Sequence, residues 1–140
     1  MIDKRRFTRP ADQESALREM AMLTVLQSYQ SRHVPRLLMI TENDHQYYIV
    51  MDYVEGGNLS AFRQGRQHLP EHQVKEIARS LLLGVAELHR LAIAHWNLCP
   101  ENIILQRNLC DIVLCDFGCA WDMRNCGGYA MHRGSGGGQQ

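Results

Sequence analysis

Residues 12–26 read DQESALREMAMLTVL, with apolar side chains recurring at Ala16, Leu17, Met20, Leu23 and Val25 or Leu26. That spacing predicts an amphipathic helix behind a cap at Asp12 or Ser15. Glu19 falls near its middle, a place that ordinarily belongs to a surface carboxylate. After Pro35, Leu37-Leu38-Met39-Ile40-Thr41 and Gln46-Tyr47-Tyr48-Ile49-Val50-Met51 flank the polar Glu42-Asn43-Asp44. Two apolar runs around a polar turn predict an antiparallel hairpin. The second strand runs on into Asp52-Tyr53-Val54-Glu55, where Gly56-Gly57 frees the backbone to turn. A short polar helix from Leu59 to about Arg66 follows. Pro70 and Glu71 then open the strongest helix of the chain, with Pro tolerated in the first turn and an acid favoured at the positive end of the dipole. Val74, Ile77, Ala78, Leu81, Leu82, Val85, Ala86 and Leu88 keep a helical period along it, and that wide apolar face needs cover on more than one side.

The region 95–118, HWNLCPENIILQRNLCDIVLCDFG, alternates a polar loop, a short apolar strand (103–105), a turn and a second apolar strand (112–115). The hairpin sets Asn102, ahead of the first strand, beside Asp116, behind the second. Both offer hard oxygen ligands suited to Mg²⁺.

Composition narrows the classes. The 140 residues carry 15 acidic and 15 basic side chains and are 45% hydrophobic, as in one ordinary soluble domain. Such balance gives no field for steering onto nucleic acid. The basic cluster Lys4, Arg5, Arg6 and Arg9 is expected to be a solvated face. No apolar run follows it, so it does not read as a secretory signal. The apolar stretch 81–88 contains Gly84 and Glu87 and is too short to span a bilayer. A cytoplasmic protein is expected, with no nucleic acid and no membrane among its partners. Cys99, Cys110, Cys115, Cys119 and Cys126 are odd in number and form no Cys-x-x-Cys, which favours free thiols. A metal site from Cys115, Cys119 and a histidine is the alternative. The tail 127–140, ending GSGGGQQ, is expected to be disordered.

Taken together, the helix with its central Glu19, the hairpin, the Gly-Gly linker, the long apolar helix, the His-x-Asn-x-x-x-x-Asn loop and Asp116-Phe117-Gly118 resemble a eukaryotic serine/threonine protein kinase domain. The likeness is strongest to the calcium/calmodulin-dependent group. It extends from Met1 to Gly118, since MIDKRRF is similar to the residues just after that group's nucleotide-binding lysine. The resemblance implies an α+β, partial protein-kinase-like fold: an N-lobe remnant (1–51) with helix C and part of the antiparallel sheet, a hinge (52–58), and the start of the helical C-lobe (59–126) with its catalytic loop. ATP and Mg²⁺ are the implied cofactors. Glu19 takes the place of the glutamate that pairs with the ATP-orienting lysine, and Met51 that of the gatekeeper. Asp52, Tyr53 and Val54 stand where the hinge backbone meets adenine, and Leu59 and Ile104 at its lower face. Leu23, Leu37, His95 and Phe117 match the apolar column of an assembled kinase, and Asn102 and Asp116 the magnesium ligands.

The catalytic loop departs from the family pattern H-R-D-x-x-x-x-N. Asn97 stands at the position of the base; an amide can orient a hydroxyl but cannot take its proton, and losing a general base typically costs ~10²–10⁴ in rate. Cys99 stands at the position of the loop lysine and offers no charge to the transferred phosphoryl group. Trp96 replaces the arginine that clamps a phosphorylated activation segment in many kinases. The Gly-rich loop and the lysine partner of Glu19 would lie before Met1, and no A-P-E follows the Asp-Phe-Gly. The uncovered helix 71–91 forgoes about 1.5–3 kcal/mol per exposed Leu or Val, against ~5–15 kcal/mol for a whole domain, so a protein partner is expected over it. Three readings follow: a pseudokinase-like fragment with a regulatory or binding role and weak or absent Mg-ATP binding, a weakly active ATP-dependent serine/threonine kinase, or a truncated isoform with no independent activity.

Overall fold

Helix α1 (Pro10–Gln27) turns Ala16, Met20, Leu23 and Leu26 into the core at the spacing the sequence predicts, leaving Leu17 and Val25 in solvent. The computed structural model describes residues 2–3, 10–64 and 69–124. The basic cluster Lys4, Arg5, Arg6 and Arg9, Cys126 and the 127–140 tail lie outside them, as do the last residues expected of the short helix. The helix starts at Pro10, so Asp12 and Ser15 lie within its first turns rather than at its cap. Pro suits that first position because its missing N–H would be unpaired there in any case. Ser15 is thereby free for a longer-range bond: its hydroxyl donates to the Gly118 carbonyl at 3.0 Å.

Strands β2 (Leu37–Glu42) and β3 (Gln46–Met51) form the expected hairpin, in register from Leu37 opposite Met51 to Glu42 opposite Tyr47, with a bulge between Leu37 and Met39. Asn43 closes the turn, its side-chain oxygen accepting from the amides of His45 and Gln46. Strand β1 (Ile2–Asp3) pairs with the other edge of β3, giving the order β1-β3-β2.

Helix α2 (Leu59–Gln64) is followed by α3 (Glu71–Arg90), which has Glu71 in its first turn and His89 and Arg90 in its last, in keeping with the helix dipole. Its buried stripe is Ile77, Ser80, Gly84 and Leu88, narrower than the predicted face and rotated from it. Val74, Leu82 and Leu83 are exposed, at 46%, 69% and 39%. The reason is close approach to the loop after α1: a methyl group on Gly84 would sit 3.1 Å from the His33 side chain. Ser80 is buried because its hydroxyl accepts from the Ile112 amide at 3.1 Å.

Strands β4 (Ile93–Ala94) and β7 (Trp121–Asp122) pair with each other, and β5 (Ile103–Leu105) pairs with β6 (Ile112–Leu114), with Ile103 opposite Leu114. The predicted second strand thus stops one residue short of Cys115. Phe117, Leu23, Leu88, Ile93, Leu105, Ile112 and Leu114 are the largest fully buried apolar side chains. His33, also fully buried, joins the loop after α1 to β6: its carbonyl accepts from the Leu114 amide at 2.8 Å, and its Nδ1 lies 3.3 Å from the Ile112 carbonyl.

Candidate functional site

The loop between β4 and β5 is built on His95. Its ring is buried and tilted against Phe117, with centroids 4.8 Å apart. Nε2 donates to the Cys115 carbonyl at 3.0 Å and Nδ1 accepts from the Asn97 amide at 3.3 Å. These roles require the neutral Nε2–H tautomer. Burial agrees with them, pushing the imidazole pKa down, although the Cys115 carbonyl and the Asp116 charge pull it back. His95 and Phe117 are buried together with Leu23 and Leu37, so all four side chains of the predicted column are in the interior.

Trp96 has φ 59° and is 77% exposed. A left-handed backbone is unusual for so bulky a residue. This turn separates buried His95 from Asn97, which faces Asp116. Asp116 itself has φ 63°, which an aspartate tolerates better. Its Oδ2 accepts from Asn97 Nδ2 at 2.9 Å and from Asn102 Nδ2 at 3.3 Å, while its Oδ1 accepts from the Gly118 amide at 3.3 Å. Asn102 Nδ2 also donates to the Asn97 carbonyl at 3.0 Å. Two strands place Asn102 and Asp116 side by side, as the hairpin predicts: β5 begins directly after Asn102, and the Cys115 amide donates back to the Asn102 carbonyl at 3.0 Å. The direct bond from Asn97 to Asp116 was not legible in the sequence.

By donor chemistry, a carboxylate and an amide oxygen this close fit Mg²⁺, which takes one or two protein ligands and completes its shell with water and phosphate. Asp116 and Asn102 would hold it, and it would supply charge neutralisation at the phosphates. Asn102 now turns its NH₂ toward Asp116, so its oxygen is the arm that must be brought round. Among the described residues no three His, Cys, Asp or Glu side chains gather into a metal cluster, so no described histidine completes the alternative site at Cys115 and Cys119. Cys99, Cys110, Cys115 and Cys119 are free thiols.

The surroundings are acidic. Burial raises the Glu19 carboxyl pKa above its ordinary range, and the Asp116 charge adds to the effect. The Cys115 thiol is pushed up to about 11, first by burial and then by Asp116, Glu19 and Cys99. Glu19 on α1 thus faces the same charge as the loop does. Cys99, half-buried, is engaged with Glu101, whose carboxyl is held below its usual range by its own backbone amide, then by Ser60 and the Cys99 thiol. Ser15, which bonds Gly118, and Arg18, whose guanidinium lies 5.6 Å from the Trp121 ring centroid, tie α1 to the segment after Phe117. The sequence offers Ser15 only as a helix cap, and Arg18 reads there as an ordinary polar position on a helix.

Met51 is half-buried, opposite Leu37, and packs on the core. After it, the Asp52 amide donates to the Arg36 carbonyl, and the Asp52 carboxylate pairs with the Arg36 guanidinium, both at 3.0 Å. Asp52 and Val54 line a groove of about 480 Å³ with Arg36 and Arg107, whereas a cleft of about 570 Å³ beside Leu26 and Pro35 contains none of the predicted site residues. Ile104 meets the linker through a bridge to Asn58, and the Leu105 amide donates to the Gly57 carbonyl at 2.9 Å. Hinge, Ile104, Asn102 and Asp116 are thereby connected through one strand pair.

A family model described as the protein kinase domain matches residues 1–136. The chain is 38% identical over 96 residues to the hormonally up-regulated neu tumor-associated kinase homolog of Xenopus tropicalis, an alignment covering 69% of this chain and 13% of that protein. It is 31% identical over 121 residues to calcium-dependent protein kinase 4 of Plasmodium falciparum, covering 84% of this chain and 22% of that protein. It is 36% identical over 88 residues to the serine/threonine-protein kinase GIN4 of Saccharomyces cerevisiae, covering 63% and 8%. The chain thus spans less than a quarter of the length of each of these curated relatives. An α+β chain matched by that model over nearly all of its residues, with serine/threonine kinases among its relatives, belongs to the protein kinase family.

Proposed function

We propose that this chain acts as a pseudokinase-like binding or regulatory module of the serine/threonine kinase family, holding Mg-ATP weakly at most. The observation that carries this reading is the Asn97 amide at the position of the base, donating to Asp116 at 2.9 Å. An amide held in this way can orient a substrate hydroxyl through its oxygen but cannot take its proton. Cys99 adds to the deficit, since a thiol brings no positive charge to the transferred phosphoryl group. In this reading Met51, Asp52, Val54 and Ile104 line the adenine end, Asn102 and Asp116 the phosphate end, and Glu19 closes the site from α1.

The exposed Val74, Leu82 and Leu83 on α3 support a protein partner covering that helix. Free thiols at Cys99, Cys110, Cys115 and Cys119 suit a reducing, cytoplasmic setting, and the balanced charge gives no reason to invoke nucleic acid. Among the described residues no helix is long and apolar enough to cross a membrane.

The adjacency of Asn102 and Asp116 favours a second reading, a weakly active ATP-dependent serine/threonine kinase. A thermal-shift titration with Mg-ATP, run beside a phosphotransfer assay on serine/threonine peptides, separates the two. The module reading expects a small shift or none and no turnover above background. Turnover lost in Asp116→Ala would establish the weak kinase instead.

A further inference from the structure

We propose that Asn97 acts as a built-in substitute for a divalent cation, holding the phosphate end of the site in its metal-free form. This rests on the reading of Asn102 and Asp116 as the magnesium pair. Asp116 is exposed, yet both of its carboxylate oxygens are occupied by N–H donors from Asn97, Asn102 and Gly118. The amide of Asn97 must present its NH₂, because its oxygen facing a carboxylate oxygen at 2.9 Å would be repelled. An aspartate at residue 97 would set two carboxylates against each other, a repulsion that a shared proton, a rotated side chain or a cation would have to relieve. Asparagine removes that repulsion and supplies a hydrogen bond in its place.

The lock is cooperative. Asn102 Nδ2 reaches both Asp116 Oδ2 and the Asn97 carbonyl, so one NH₂ ties the loop to the carboxylate. A metal bound by Asp116 and Asn102 would have to turn the Asn102 amide end for end and would compete with Asn97 for Oδ2. Asn97 is therefore a positioning residue that sets the site's preference between metal-free and metal-bound states. Bonds to a charged carboxylate are the stronger kind, so this preference is substantial.

The test measures Mn²⁺ alone, as free-ion electron paramagnetic resonance signal lost on titrating the full chain, without nucleotide and without any activity readout. Asn97→Ala removes the donor and adds no charge, and is expected to lower the half-saturating Mn²⁺ concentration at least threefold. Asn97→Asp, which also adds charge, is expected to lower it at least tenfold. Equal Mn²⁺ binding by the wild type and Asn97→Ala overturns the proposal. Should circular dichroism show that a variant has not folded, the wild type decides alone. Its Asn97 and Asn102 side-chain amide resonances should be dispersed without metal and unmoved by 1 mM MgCl₂ (an order-of-magnitude choice for a weak site); averaged, unbonded NH₂ signals overturn the proposal. An Asp116→Ala chain that binds Mn²⁺ as the wild type does would sink the underlying site assignment, an outcome distinct from both.

Discussion

An alanine at Gly56 would put its methyl group 2.2 Å from the Leu105 carbonyl oxygen, 2.7 Å from the carbonyl carbon and 2.8 Å from the Gln106 oxygen. All three are backbone atoms, so no rotamer change can relieve the clash; β5 or the linker must move by about 1 Å to restore ordinary contact at ~3.5 Å. Leu105 is fully buried between β6 and the core, and its amide donates to the Gly57 carbonyl at 2.9 Å. Overpacking of this kind costs about 1–3 kcal/mol, and loss of the Leu105–Gly57 bond adds about 0.5–1.5 kcal/mol. We expect Gly56→Ala to destabilise by about 2–4 kcal/mol. Gly57 supplies the control: its φ is +73° and nothing lies within 4 Å of an added methyl group, so Gly57→Ala meets only the left-handed backbone cost. That is about 1–2 kcal/mol. In urea unfolding followed by far-ultraviolet circular dichroism, with slopes of about 1–3 kcal/mol per molar, the Gly56 variant should have the lower midpoint, by about 0.5–1.5 M at the centres of these ranges. A Gly56→Ala chain as stable as Gly57→Ala, or more so, would refute the close-approach argument.

Ser80→Ala removes the acceptor for the buried Ile112 amide, and an unsatisfied buried donor costs about 1–3 kcal/mol. Urea unfolding should show that loss, while Ser80→Thr, which keeps the hydroxyl, should retain more of the stability. The pH dependence has two arms of opposite sign. Burial lowers the folded-state pKa of His95 from 6.5, so the unfolded chain takes up the proton first, and stability should fall as pH drops below 6.5 toward the folded pKa. Cys115 is raised from 9.0 to about 11, so the unfolded chain ionises first, and stability should fall as pH rises from 9.0 toward 11. Urea midpoints across that alkaline range should flatten in Cys115→Ala; an unchanged slope would remove the thiol as its cause.

Much of this molecule follows from short-range pattern. The apolar spacing of α1, the two runs around Asn43 and the strands on either side of Gln106–Asp111 each depend on neighbours a few residues away, and each element forms there, with only its ends shifted from the pattern. The pairing of Asn102 with Asp116 is also local in this sense, because a hairpin brings its two ends together whatever surrounds it. Asn97 and Cys99 stand out only against the pattern of the family that the loop resembles, from which their residue types depart.

Tertiary contact decided the rest. Periodicity on α3 cannot say which side of a broad apolar helix meets the body, and the Ser80–Ile112 bond and the close pass of Gly84 by His33 choose a stripe that hydropathy would not. Ser15 reads as a cap until Gly118, 103 residues away, offers its carbonyl. The glycine pair reads as a turn signal, yet Gly56 is required by the backbone of β5 and only Gly57 by its dihedral angle. Above all, the sequence determines that residue 97 is an amide, but the folded loop, with Trp96 in a left-handed turn, decides that this amide faces Asp116. Residue type is written locally; the partner that gives it a role is brought in by the fold.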